Sequence, residues 1–229
     1  MMALALAPLL LLGAADAAES DAAPVLRGLE HRPIYHLIPQ GAEAGWISDP
    51  NGPIYYKGRY HMFYQAATTA QVRSHCTAAS CSFHTPDPVS WGHMSSSDLT
   101  HWVQHPMAIT PAAPTSFEGA DVYSGAMIED PSDGSVKAFY ACGCGDAKPP
   151  GGHNDAVCYA SSSDENLTTW TKYDGAHGSV VLYVPEALGP EHSAKYLPEA
   201  GSQFIFRNAS DGSWIMMVGS GVKDKSRQV

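Results

Sequence analysis

The sequence predicts an all-β fold, a β-propeller with about three blades represented, and two recurring patterns carry that prediction. The first is a hairpin. "PIYYKGRYHMFYQ" turns at Lys57-Gly58, "GAMIEDPSDGSVKAFYAC" at Asp133-Gly134 and "SQFIFRNASDGSWIMMVGSG" at Asp211-Gly212, at nearly equal intervals. Each is a pair of β-rich runs around a glycine-containing turn. The second pattern follows in phase. "WGHMSSSDLTHW" (Trp91 to Trp102) trails the first hairpin and "CYASSSDENLTTW" (Cys158 to Trp170) the second. Both read as a strand, a Ser-Ser-Ser-Asp turn, then a tryptophan opening another strand. A hairpin plus two strands is a four-stranded blade. A ring closes with roughly four to eight blades, so the chain reads as the first part of a larger propeller.

From the N-terminus, "MMALALAPLLLLGAADAAES" reads as a secretory signal over residues 1–18, with an apolar run and Ala15-Asp16-Ala17 as a cleavage site. Its n-region lacks Lys and Arg. Residues 19–229 then form the propeller domain, and the mature protein is expected to be secreted. No later apolar run approaches the ~18 residues of a membrane span. The sequons at Asn166 and Asn208 are compatible with that route.

Composition narrows the function classes. The 229 residues carry 13 Lys+Arg against 23 Asp+Glu, a formal net charge of −10. Binding to phosphate backbones needs a basic stripe, so a nucleic-acid partner is not expected, nor adhesion to an anionic membrane. Hydrophobic residues at 44% supply a core, and 21 Gly with 17 Pro supply turns rather than long helices.

Five cysteines, Cys76, Cys81, Cys142, Cys144 and Cys158, leave pairing open, with Cys76–Cys81 one candidate. Cys142-Gly-Cys144 is tighter than zinc-site spacing and no His pair stands at helical spacing, so neither a metal nor a cofactor is expected. The eleven His are scattered and read as mainly surface or loop residues.

Chemistry centres on "GWISDPNGP" before the first hairpin. By composition Asp49-Pro-Asn-Gly is a turn. Aligning the hairpins on their turn glycines, however, sets Asp49 opposite Ser124 and Gly125 in the second unit and Ser202 and Gln203 in the third. These positions open the innermost strand of each blade, so they should converge. The glycine- and proline-rich connections after the blades, such as "PAAPTSFEGADVY" and "VPEALGPEHSAKYLPEAG", suit binding loops on a rigid scaffold.

"WISDPNG", "YHMFYQ", "WGHMSSSDLTHW" and "DVYSGA", in that order over roughly residues 31–220, resemble glycoside hydrolase family 32, the invertases, inulinases, levanases and fructosyltransferases. The resemblance implies a five-bladed propeller followed by a β-sandwich, acting on terminal β-fructofuranosides such as sucrose or fructans with retention and without a metal. It implies Asp49 as nucleophile, with Trp46, Asn51, Gln65, Trp91 and Ser124 as substrate-binding residues. A carboxylate would trap the oxocarbenium-like centre while a second carboxyl about 5 Å away serves as acid and base.

Three departures qualify the match. Gly201-Ser202-Gln203 stands where the family has Arg-Asp-Pro, with Glu199 the nearest carboxylate. The family's acid/base glutamate normally lies in a later blade. Ser48 replaces the Asn before the nucleophile, a change associated in the resembling plant enzymes with fructosyl transfer. A degenerate or truncated non-catalytic member that binds fructosides or nothing is therefore the alternative expectation.

Overall fold

Two repeating units and a third hairpin account for nearly all regular structure in the computed structural model, which describes residues 37–75, 88–113, 115–143, 156–183 and 201–219. In the first unit, β1 (Gly45–Tyr56), β2 (Arg59–Thr68), β3 (Ser90–Ser96) and β4 (Trp102–Ile109) form an antiparallel sheet in that order. In the second, β5 (Val122–Glu129), β6 (Val136–Cys142), β7 (Ala156–Ser162) and β8 (Thr171–Lys172) repeat the plan. Here β9 (Val180–Tyr183) also pairs with β7, a fifth strand beyond the predicted four. The third hairpin is β10 (Gly201–Arg207) with β11 (Trp214–Gly219). One seven-residue helix, Thr69–His75, follows β2. The predicted signal and the pair Cys76–Cys81 lie outside the described residues.

The turns form where the sequence places them, and the side chains explain why. Lys57 and Gly58 both take positive φ, 44° and 84°, as a tight two-residue hairpin turn requires. In the other two hairpins Gly134 and Gly212 take φ of 70° and 72°, and their N–H groups donate to Asp130 O and Asn208 O. Each Ser-Ser-Ser-Asp turn is caged by its aspartate. Asp98 Oδ1 accepts from the Thr100 and His101 amides, while Asp164 accepts from those of Asn166, Thr168 and Thr169. In both turns a leucine is left-handed, Leu99 one residue after its aspartate and Leu167 three residues after, and its carbonyl accepts the indole N–H of Trp102 or Trp170.

The core lies between the two sheets. Tyr56, Phe63, Trp91 and Ile109 from the first meet Val122, Val136, Ala138, Tyr140 and Leu167 from the second. Trp170 meets Phe63 edge-on, and Trp91 lies tilted against Tyr140. A second cluster, Val157 with Phe139, Leu182, Met216 and Val218, joins the second sheet to the third hairpin. Consequently β1 adjoins β5 and β5 adjoins β10, so the first strands of successive units are neighbours. A disulfide, Cys142–Cys158, staples β6 to β7, resolving one pairing that the sequence left open.

Three histidines depart from the surface reading. His61, His93 and His105 stand on β2, β3 and β4 and stack in a row that continues onto Phe63. His61 Nδ1 and His93 Nε2 are 3.0 Å apart, so one donates and the other accepts. Burial, reinforced by the neighbouring His105, lowers His61 to about 4 and His93 further, to about 2. Sequence periodicity cannot reveal the row, because it arises from cross-strand register.

Candidate active site

The "SDPNG" stretch is not a chain-reversing turn; it lies inside β1. Ile47 pairs with Ala66 and Pro50 with Tyr64, so Ser48 and Asp49 together face the single residue Gln65. A further register shift follows between Asn51 and Ile54, where Gly52 takes φ of 43°. The physical reason is the proline: Pro50 and Pro53 lack an N–H and cannot sustain a regular ladder. Such bulges bend a strand and re-aim its side chains.

The same irregularity recurs within one residue of the same station in each unit. In β5 the register shifts between Val122 and Gly125, setting Tyr123 and Ser124 opposite Ala141. In β10 it shifts between Gly201 and Phe204, setting Ser202 and Gln203 opposite Val218. The convergence predicted from aligning the turn glycines is met for the first two units. Asp49 is exposed, and its Oδ2 accepts from the Ser124 hydroxyl at 3.4 Å and from Gln65 Nε2 at 3.5 Å. Gln65 Nε2 also reaches Ser124 Oγ at 3.1 Å, and Ser48 Oγ donates to Asp49 Oδ1 at 3.0 Å. A solvent-facing carboxylate is thus held by three neutral donors, an arrangement that orients it without neutralising it.

The remaining predicted residues divide. Trp46, half-buried, pairs with Ala67 beside this cluster. Asn51 and Trp91 do not line a surface: they are 1% and 0% exposed. Trp91 is registered with Gln65, but its indole points between the sheets and donates to Tyr123 O at 2.7 Å. Both therefore pack inward in this structure, where the resemblance implies substrate-binding residues. An aromatic side chain on a strand with both faces covered packs first.

Gln203 is buried on β10, and the side chain of Ser202 and all of Glu199 lie outside what is described. Among the described residues no second carboxylate bonds to Asp49, Gln65 or Ser124. The buried carboxylates are occupied elsewhere. Glu118 accepts from Tyr140 Oη at 2.8 Å, Lys172 Nζ at 2.7 Å and Ser179 Oγ, and Asp121 accepts from the Val89 amide and Tyr123 Oη. No group of metal-ligating side chains assembles among the described residues.

The model of the glycosyl hydrolases family 32 N-terminal domain matches residues 36–229. The chain belongs to glycoside hydrolase family 32. Among curated family 32 relatives, it is 29% identical to a raffinose invertase of Escherichia coli over 86% of this chain and 37% of that one. It is 31% identical to a 6(G)-fructosyltransferase of Asparagus officinalis, over 76% of this chain and 24% of that one. A family 32 β-fructofuranosidase of Bombyx mori, solved as a variant in complex with sucrose, superposes with a TM-score of 0.54. The identity there is 26%, over 84% of this chain and 33% of that one. The chain therefore spans about a quarter to somewhat over a third of these family 32 proteins.

Proposed function

We propose that this chain is the N-terminal portion of a secreted β-fructofuranosidase. In this reading residues 1–18 are a signal peptide, and residues 19–229 begin a five-bladed propeller with Asp49 as the nucleophile facing its axis. The observation that carries the reading is the Asp49 carboxylate, exposed on a bulge and held by Gln65 and Ser124 from a neighbouring strand and a neighbouring sheet. Adjoining first strands suit a radial array, and a buried disulfide suits an oxidising compartment. The substrate is a terminal β-fructofuranoside, sucrose or a short fructan.

In this mechanism one Asp49 oxygen attacks the anomeric carbon of the fructosyl unit as the glycosidic bond breaks, forming a fructosyl-enzyme with net retention after hydrolysis. A retaining reaction needs a second carboxyl about 5 Å away to protonate the leaving oxygen and later activate water. Gln65 and Ser124 fix the carboxylate plane, and Trp46 offers the half-buried aromatic surface for the sugar. A transferase variant, in which an acceptor sugar replaces water, rests on Ser48 alone, the residue that the resembling plant enzymes associate with transfer.

A second reading is a non-catalytic fructoside binder, favoured by Gly201-Ser202-Gln203 in place of a carboxylate-bearing motif. Fructose release from sucrose by the full-length protein, beside calorimetry with sucrose and kestose, separates the two. Turnover abolished by Asp49→Ala in a folded protein supports the enzyme. Binding without turnover supports the binder, and turnover unaffected by Asp49→Ala overturns Asp49 as nucleophile.

A further inference from the structure

A bulge frees backbone groups from the ladder, and those groups need partners. At the β5 bulge the partners come from the other sheet. The carbonyl of Tyr123, in the peptide before Ser124, accepts the Trp91 indole N–H at 2.7 Å. The N–H of Gly125, in the peptide after Ser124, stands 3.3 Å from Asn51 Oδ1. Turned over, the Asn51 amide accepts from the same indole at 3.2 Å and donates to Pro50 O. In either orientation Asn51 ties the bulged β1 to this joint.

The contact is close by construction. A Cβ on Gly125 would stand 2.9 Å from Trp91 Cζ2 and 2.2 Å from Phe139 O, so only glycine admits the indole here. Trp91 is also the register partner of Gln65, whose amide touches both Asp49 and Ser124. The indole is braced from behind by the Tyr140 ring, whose hydroxyl is fixed on Glu118.

We infer that Trp91, with Asn51 beside it, is a positioning residue that sets the distance between Ser124 and Asp49. It touches no substrate. It holds the peptide entering Ser124, and so determines whether the hydroxyl of one sheet reaches the carboxylate of the other. The consequence for catalysis rests on the fructosidase reading; the geometric claim does not.

Two measurements on the full-length protein test it. In crystal structures of wild type and Trp91→Phe, which keeps a ring but removes the N–H, the Ser124 Oγ–Asp49 Oδ2 separation is expected to grow beyond hydrogen-bond reach. An unchanged separation overturns the proposal whether or not the protein is an enzyme. In kinetics on sucrose, Trp91→Phe and Ser124→Ala should each lower kcat about tenfold, the scale of one lost hydrogen bond to an ionised group. The double variant should lose little more than either single, because Trp91 acts through Ser124. Losses that multiply to about a hundredfold would mean that Trp91 does not act through Ser124, and overturn the proposal. Should Trp91→Phe fail to fold, Asn51→Ala disturbs the same joint and is read by the same distance and the same cycle.

Discussion

Ser124 Oγ and Asp49 Oδ2 stand 3.4 Å apart although they belong to different sheets, each carried on the bulge of its unit's first strand. If the fructosidase reading holds, Ser124→Ala removes one of the two donors to Oδ2 and leaves Gln65 in place. The expected result is a tenfold to hundredfold loss of kcat/KM on sucrose, corresponding to about 1.5–3 kcal/mol for a hydrogen bond to a charged group. Thermal stability should change little, because Ser124 is not fully buried.

The histidine row predicts acid sensitivity of the fold. His61 and His93 are neutral in the folded state, with His105 and Arg59 facing them and Asp164 the opposing charge. Unfolded histidines titrate near 6.5, so below that pH the unfolded state binds more protons and stability falls with falling pH. The loss should be steepest between about 6.5 and about 4, the latter being the folded value of His61. Urea denaturation across this range checks it. Replacing both residues, His61→Phe with His93→Phe, should flatten the dependence.

The disulfide gives a separate prediction. Cys142 and Cys158 are 16 residues apart in sequence, a loop whose closure is worth about 3 kcal/mol on the chain-entropy scale. Cys142→Ala with Cys158→Ala should lower unfolding free energy by about that amount. Urea denaturation of the wild type and the double variant, both without reductant, measures it.

Glu118 is the most committed carboxylate in the core. Lys172, Tyr140 and Ser179 all donate to it. Glu118→Ala leaves the half-buried Lys172 with only the Thr110 carbonyl to accept from it, and breaking the pair in this way costs up to about 3–5 kcal/mol. Removing the pair together, Glu118→Leu with Lys172→Met, should cost less, because no charge is left buried, although the Tyr140 and Ser179 hydroxyls lose their acceptor in both variants. The difference between the two melting temperatures is the measurement.

The hairpins were legible because their turns are written locally. Lys57-Gly58, Gly134 and Gly212 must supply positive φ, and Asp98 and Asp164 cage their own backbone amides. Site residues were legible only as far as position along the strand goes. Asp49 and Ser124 meet, as their stations in the repeat imply, and Gln65, which only the family resemblance singles out, joins them. Trp91 and Asn51 belong to the same motifs yet face inward, since neither alternation nor motif says which face of a strand is covered by the next sheet. Nor could local pattern tell a bulge from a turn at Asp49-Pro-Asn-Gly, because proline and glycine serve both.

The bulge after Ile47 has a consequence for how this protein can change. Ile47, Ser48, Asp49 and Pro50 are four consecutive exposed residues, whereas Asn51, Gly52 and Tyr56 are buried. One strand therefore carries two independent reading frames, an outward segment that meets solvent and an inward segment that holds the sheets together. In the fructosidase reading, substitutions at Ile47 or Ser48 retune how water or a second sugar approaches the carboxylate while the packing frame stays fixed. New reactivity could thus evolve in the outward frame without refolding the molecule.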